Sequence, residues 1–184
     1  MLFDVARAAS PDGAPYSVGR LLHAAWDAAR GVGIDPRPSL GETACAATVA
    51  GEPVIAFVDM AEPGTVNVAR REAGAWTVER VDTVSWSSTH CALAVGSDGT
   101  AWIAYSRGEP ETLRVARRDA GGWRHADVET GPVYYPRLAI DGSSGVHVAY
   151  LVSPQSRPGG PRSGVVTYDL HYRRVGVEAL GTRD

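Results

Sequence analysis

Three stretches of this 184-residue chain repeat one pattern. GEPVIAFVD (51–59), DGTAWIAYSR (98–107) and SGVHVAYLV (144–152) each put a turn before a short apolar run ending in Phe57, Tyr105 or Tyr150. The first two continue alike, into TVNVARREAGAW (65–76) and TLRVARRDAGGW (112–123). Such a repeat constrains the fold more than any single residue does, because each unit must bury its apolar face against its neighbours.

Setting Ala56, Ala104 and Ala149 in register gives spacings of 48 and 45 residues. That is near the period of a four-stranded propeller blade. The second unit (91–128) parses as CALAV, AWIAY, LRVARRD and WRHADV, with turns at SDG and AGG. Gly and Asp between β-branched and aromatic runs are the expected hairpin signal. The first unit covers 44–81. The third, over 137–180, is degenerate. It keeps RLAI and HVAY, runs through a polar stretch at 153–164, and resumes with VVTYDLHYRR (165–174) as strand C and VGVEAL (175–180) as a weak strand D. Residues 2–22 match 66–81, with Tyr16 in the place of Trp76, and read as strands C and D of a split blade. Leu21, Leu22, Ala25, Trp26 and Ala29 recur at helical spacing, and a short helix within 23–30 fits both patterns.

The expectation is an all-β fold, a β-propeller of four-stranded blades with about three blades per chain. Three units do not close a ring, since propellers have typically 4–8 blades. The chain is therefore expected to form a homodimer that closes six blades, with seven or eight as alternatives. A fragment of a longer protein and an open sandwich are the other readings.

Composition narrows the function classes. The formal net charge is −3, which provides no electrostatic basis for nucleic-acid binding. No apolar stretch approaches the roughly 20 residues that span a bilayer. The amino terminus lacks a basic segment followed by an apolar one, so a cytoplasmic location is expected. All 18 basic residues are arginine, which together with much Ala, Gly, Val and Pro reads as a GC-rich bacterial genome. Without lysine there is no Schiff base and no lysine general base. Cys45 and Cys91 read as equivalent repeat positions, too distant for the Cα separation of about 4.4–6.8 Å that a disulfide needs. Both are expected as buried free thiols, with no metal site around them.

In such blades the A–B and C–D turns emerge on one face, and the B–C loops and D–A connections on the other. Here the first set is short and Gly-rich, whereas the second carries the long insertions 23–41 and 151–164. Function tends to sit on elaborated loops held by a rigid scaffold. The candidate ligand-binding residues on that face are Asp59, Met60, Glu62, Trp86, Thr89 and Tyr134. The candidate catalytic residues are His90, Tyr135, Arg107 and Arg137, with His90 and Tyr135 at equivalent positions. Trp, Tyr, His and Arg at a channel mouth suit stacking plus hydrogen bonding to a small polyfunctional ligand. Trp76 and Trp123 recur and read as packing, as do Phe57, Tyr105 and Tyr150. The Arg-Arg pairs at 70–71, 117–118 and 173–174 read as solvated edge charge.

LAVGSDGTAWIAYSR followed by VARRDAGGW resembles the degenerate repeats of the sialidase-like (BNR-repeat) propeller superfamily, over roughly 40–150 and again at 2–22. The superfamily's Asp-box, Ser-x-Asp-x-Gly-x-x-Trp, is not intact, since SDGTAW (97–102) lacks the spacing. Neither the three substrate arginines nor the Tyr/Glu pair of a sialidase is assignable. The resemblance implies the fold and a range of activities, from glycosidases and Tyr/His/Arg lyases to lectins, among which fold alone does not choose. Two functions are carried forward. One is an enzyme with no metal or cofactor, of cyclase, isomerase or lyase type, acting on a small natural-product-like or sugar-like molecule. Its His90 and Tyr135 would move protons, and Arg107 or Arg137 would stabilise negative charge. The other is a non-catalytic, lectin-like binding module.

Overall fold

The computed structural model describes residues 2–9, 15–23, 32–33, 43–59, 64–85, 90–108, 110–142, 145–153 and 167–181, the first three stretches as backbone only. The protein is all-β and antiparallel, with four sheets of three or four strands among these residues. β1 (Leu2–Ala9), β2 (Pro15–His23) and β3 (Val32–Gly33) form an amino-terminal sheet. β4 (Ala44–Val49), β5 (Glu52–Asp59), β6 (Gly64–Glu72) and β7 (Ala75–Val84) form the first repeat sheet, in chain order. β8 (Cys91–Val95), β9 (Ala101–Arg107), β10 (Thr112–Asp119) and β11 (Gly122–Thr130) form the second in the same order. β12 (Val133–Ile140), β13 (Val146–Val152) and β14 (Asp169–Val175) form the third. No helix among the described residues is long and apolar enough to cross a membrane.

Residues 2–22 hold the antiparallel strands β1 and β2, paired from Leu2 with Leu22 to Ala9 with Pro15. Of the stretch 23–30, where a short helix is expected, residues 24–30 lie outside the described residues. One expectation needs correction. VGVEAL holds no strand D; Val177–Ala179 is a single 3-10 turn, and its end packs into the core through Leu180. Among the described residues the third sheet thus has three strands, with β14 at its edge.

Hairpin chemistry sets the register. Ala50–Gly51 and Ala73–Gly74 are two-residue turns with positive φ at both residues. That geometry matches the twist of the flanking strands and is easiest for glycine. The longer turn at 96–100 is closed by Asp98, which accepts hydrogen bonds from the Thr100 amide (2.9 Å) and hydroxyl (2.7 Å).

The sheets stack face to face, with β4 against β8 and β8 against β12. One core cluster joins Val54, Ala56, Val58, Val66 and Val68 of the first sheet to Ile103, Tyr105 and Trp123 of the second. Another joins Trp102, Ala104, Leu113 and Val115 on the second sheet's other face to Val146, Val148, Tyr150 and Val152 of the third. The second sheet is covered on both sides, and β9 accordingly reads as a continuous buried run, AWIAY. β13 instead alternates strictly between buried and half-buried residues.

The two thiols show how far register reaches. Cys45 pairs with Ala56, whereas Ala92, not Cys91, pairs with the equivalent Ala104. The cysteines are therefore offset by one position and point to opposite faces of their own sheets, each toward the other. Both are free, but they are neighbours: the Cys45 thiol is hydrogen-bonded to Cys91 and is pushed well up by that bond and by burial.

A polar clasp repeated between successive sheets supplements the apolar packing. In both β6–β7 and β10–β11 the register slips at the same place, beside Val66/Asn67 and Leu113/Arg114. Just past each bulge stands a carboxylate, Asp82 or Glu129. The strand-B tyrosine of the next sheet donates to it: Tyr105 to Asp82 at 2.7 Å, Tyr150 to Glu129 at 2.9 Å. The residue cross-strand from each tyrosine supplies a base, Arg114 at 3.1 Å from Asp82 and His171 at 3.4 Å from Glu129. The Tyr105 hydroxyl has one hydrogen, which Asp82 takes, so His125 donates to the same oxygen from Nδ1 at 3.1 Å. Burial and donation to Glu129 push Tyr150 up to about 12. In the first unit the same positions hold Phe57 and Asn67. Asn67 turns its amide to the Thr65 hydroxyl (2.8 Å) instead.

The recurring arginines do more than charge an edge. Arg118 pairs with Glu79 of the preceding sheet at 2.9 Å. Arg117 lies 5.6 Å from the centre of the Trp102 ring, in cation–π contact.

Candidate functional site

The end of the stack at which β9 finishes and β12 begins gathers four aromatic rings. His90, just before β8, meets Tyr135 edge-on at 4.5 Å and Tyr134 at 5.9 Å. Tyr134 in turn meets Tyr168 at 5.5 Å. Ladder geometry holds His90 in place: its carbonyl accepts from the Ser106 amide at 3.3 Å. The Ser106 hydroxyl reaches across to the Val133 carbonyl at 3.1 Å, tying the second sheet to the third at this point.

Tyr135 is set by a bulge. The β12–β13 register slips between Tyr134 and Arg137, and Tyr135, before Pro136, is held at φ 50. A non-glycine residue at positive φ costs of order 1–3 kcal/mol and persists only where its surroundings enforce it. The bulge turns Tyr135 out of the ladder, half-exposed, toward His90. Counted back from Arg137, Tyr135 does match His90. The slip makes Tyr134 the residue opposite Leu151, as His90 is opposite Ser106.

His90, Arg107 and Tyr134 line one cavity with Ser106, Glu111 and Thr112. Its volume of about 30 Å³ holds one or two waters but not a ligand. Burial depresses the His90 pKa below its ordinary 6.5, and the positive charge of Arg137 adds to this. The imidazole is therefore neutral near pH 7. The depressed value fixes a sign for stability. Between the folded pKa and 6.5 the unfolded chain binds a proton that the folded one refuses, so stability is lost as the pH is lowered through that window. His90→Gln should flatten this acid limb in urea unfolding between neutral pH and pH 5. Equal slopes in variant and wild type would show that His90 titrates as it does in the open chain.

Of the residues singled out from the sequence, His90, Arg107, Tyr134 and Tyr135 come together, with Arg137 close enough for its charge to act on His90. Asp59 is buried at the end of β5, cross-strand from Thr65, and occupies in the first sheet the place of Arg107 in the second. Met60, Glu62, Trp86 and Thr89 lie outside the described residues. Sequence reasoning missed Tyr168, whose signal was present: Tyr168, Leu170 and Tyr172 recur at period two and share one face. It also missed the clasp carboxylates, marked by the recurring VDT (81–83) and VET (128–130). Among the described residues no cluster of His, Cys, Asp and Glu is placed to hold a metal ion.

No protein-family model matches the sequence, and a search of curated proteins finds no match.

Proposed function

We propose that the chain is half of a β-propeller of the sialidase-like kind, closed by a second copy. The ring acts at its mouth as a cofactor-independent enzyme on a small anionic, sugar-like or natural-product-like molecule. Face-to-face stacking of two complete four-stranded meanders, leading strands side by side, supports the ring. One observation carries the activity. A neutral imidazole and a phenol held out by a strained bulge meet at 4.5 Å, beside two arginines. His90 would take a proton from the carbon next to a carboxylate, and Arg107 or Arg137 would stabilise the enolate charge. Tyr135 would protonate the departing oxygen as its bond to carbon breaks, leaving a double bond. This is a lyase-type elimination; a cyclase or isomerase would use the same groups.

A lectin-like module is the second reading, favoured by the small volume of the cavity. Against it stands the lack of repetition. The position whose carbonyl accepts the strand-B amide is Thr43 in the first unit and His90 in the second. A lectin propeller repeats its binding residues from blade to blade.

The test incubates wild type, His90→Ala and Tyr135→Phe with uronate-containing oligosaccharides and follows the ultraviolet absorbance of the unsaturated product. Loss of the general base should cost about 10²–10⁴-fold in rate. Saturable binding with no product, unchanged by Tyr135→Phe, would replace the enzyme with the lectin.

A further inference from the structure

We infer that Cys45 and Cys91 are a redox pair that closes to a disulfide, stapling the first repeat sheet to the second one residue from His90. The two stand on β4 and β8, the leading strands of neighbouring sheets, which run against each other in the stack. Register turns them toward one another. Cys45 is the ladder partner of Ala56 and Cys91 that of Tyr105, and both partners belong to the apolar core between these sheets. Cys91 is part of that core, and Cys45 packs against it.

The approach is closer than stacked sheets normally make, since their usual separation is about 10 Å. Here Cys91 Sγ lies 4.0 Å from the carbonyl oxygen of Ala56, an atom of the first sheet's own backbone. The Cys45 thiol completes the contact with its hydrogen bond to Cys91. Sulfurs that already touch reach the S–S length of about 2.0 Å mainly by side-chain rotation. Alanine, the commonest residue of both strands, would fill much of the same space. Only cysteine can close a bond across it.

The oxidant is a hydroperoxide, small enough to reach Cys45, the half-buried member of the pair. The Cys45 sulfur attacks one oxygen of hydrogen peroxide, the O–O bond breaks, and a sulfenic acid forms with release of one water. The Cys91 sulfur then attacks the sulfenic sulfur, the S–O bond breaks, and a second water leaves. The two thiols have given up two electrons and two protons, and the peroxide has taken both. Burial and the shared hydrogen bond keep the Cys45 thiol protonated, and the thiolate is the reacting form, so closure is slow at neutral pH. Cys91 follows His90 in the chain, and the charge of Arg137 acts on both Cys45 and His90. The bond therefore fixes the start of β8, and with it the imidazole, against the first sheet.

Full-length wild type treated with hydrogen peroxide in mildly alkaline buffer should lose two hydrogens by mass spectrometry. It should remain a single chain on a non-reducing denaturing gel, resist alkylation after unfolding, and recover both thiols in dithiothreitol. The oxidised form should melt about 5–15 °C above the reduced one, because a bridge across so long a loop restricts the unfolded chain. Cys45→Ser, shown to be folded by circular dichroism, should gain nothing from peroxide. Two alkylatable thiols after prolonged treatment, and after refolding from urea with the oxidant present, would overturn the proposal. So would oxidation that ends in sulfinic acid or in a bond between chains, or an equal rise in melting temperature in Cys45→Ser. Ring protons of His90 that resonate alike in both redox states would overturn the link to the site. None of these readings uses activity, so the pair stands or falls separately from the proposed enzyme.

Discussion

Asp82→Ala should lower stability by about 3 kcal/mol, the scale of breaking a buried charged pair by removing one partner. The substitution strips the acceptor from two groups at once, the buried Tyr105 hydroxyl and the Arg114 guanidinium. Arg114 keeps its bond to Asp127 at 2.7 Å, which places the cost at the lower end of that scale. Tyr105→Phe removes the donor to Asp82 and the acceptor of His125 but leaves the ion pair, so it should cost less, about 1–2 kcal/mol. Because the substitutions act on one network, the double variant should lose less than the two single losses combined. Urea unfolding of the four proteins measures all of this. An Asp82→Ala variant within about 0.5 kcal/mol of wild type would mean that apolar stacking alone joins the sheets.

Trp102→Ala should cost about 3–5 kcal/mol, the range for deleting a large buried aromatic. Trp102 fills the space between the second and third sheets, and Arg117 lies over its ring. Its counterparts are small or half-buried: Val54 on β5 and His147 on β13, each aligned through the shared alanine. Trp102→Phe, which keeps most of the volume, should lose less than half as much. Guanidinium unfolding with a circular dichroism readout would decide, and a loss under about 1 kcal/mol for the alanine variant would show that the two sheets collapse onto the gap.

Much of the strand content was legible because it depends on local chemistry. Ala-Gly and Asp-Gly turns between β-branched runs mark hairpins wherever they occur, and three aligned alanines placed the second strand of every unit. The gathering of His90, Tyr134, Tyr135 and Arg107 was legible for the same reason: the repeat put all four at one end of their sheets. Errors arose where one residue of register or one absent partner decided the outcome. Counting from cysteine to cysteine hid the longer turn at 96–100, which moves Cys91 to the face opposite that expected. VGVEAL is apolar enough for a strand, but Leu180 buries itself better in the core past a 3-10 turn. Arg118 reads as edge charge until Glu79 is brought beside it.

The sequence by itself determined that the chain is β-structured and repetitive, because turn signals and hydrophobic runs act within about ten residues of one another. Which groups face each other across stacked sheets was decided only in the tertiary structure. Tyr105 and Asp82 are 23 residues apart, and Tyr150 and His171 converge on Glu129 from 21 and 42 residues away. Contacts at such separations depend on the exact register of several ladders at once, and a single slipped residue turns a side chain to the opposite face.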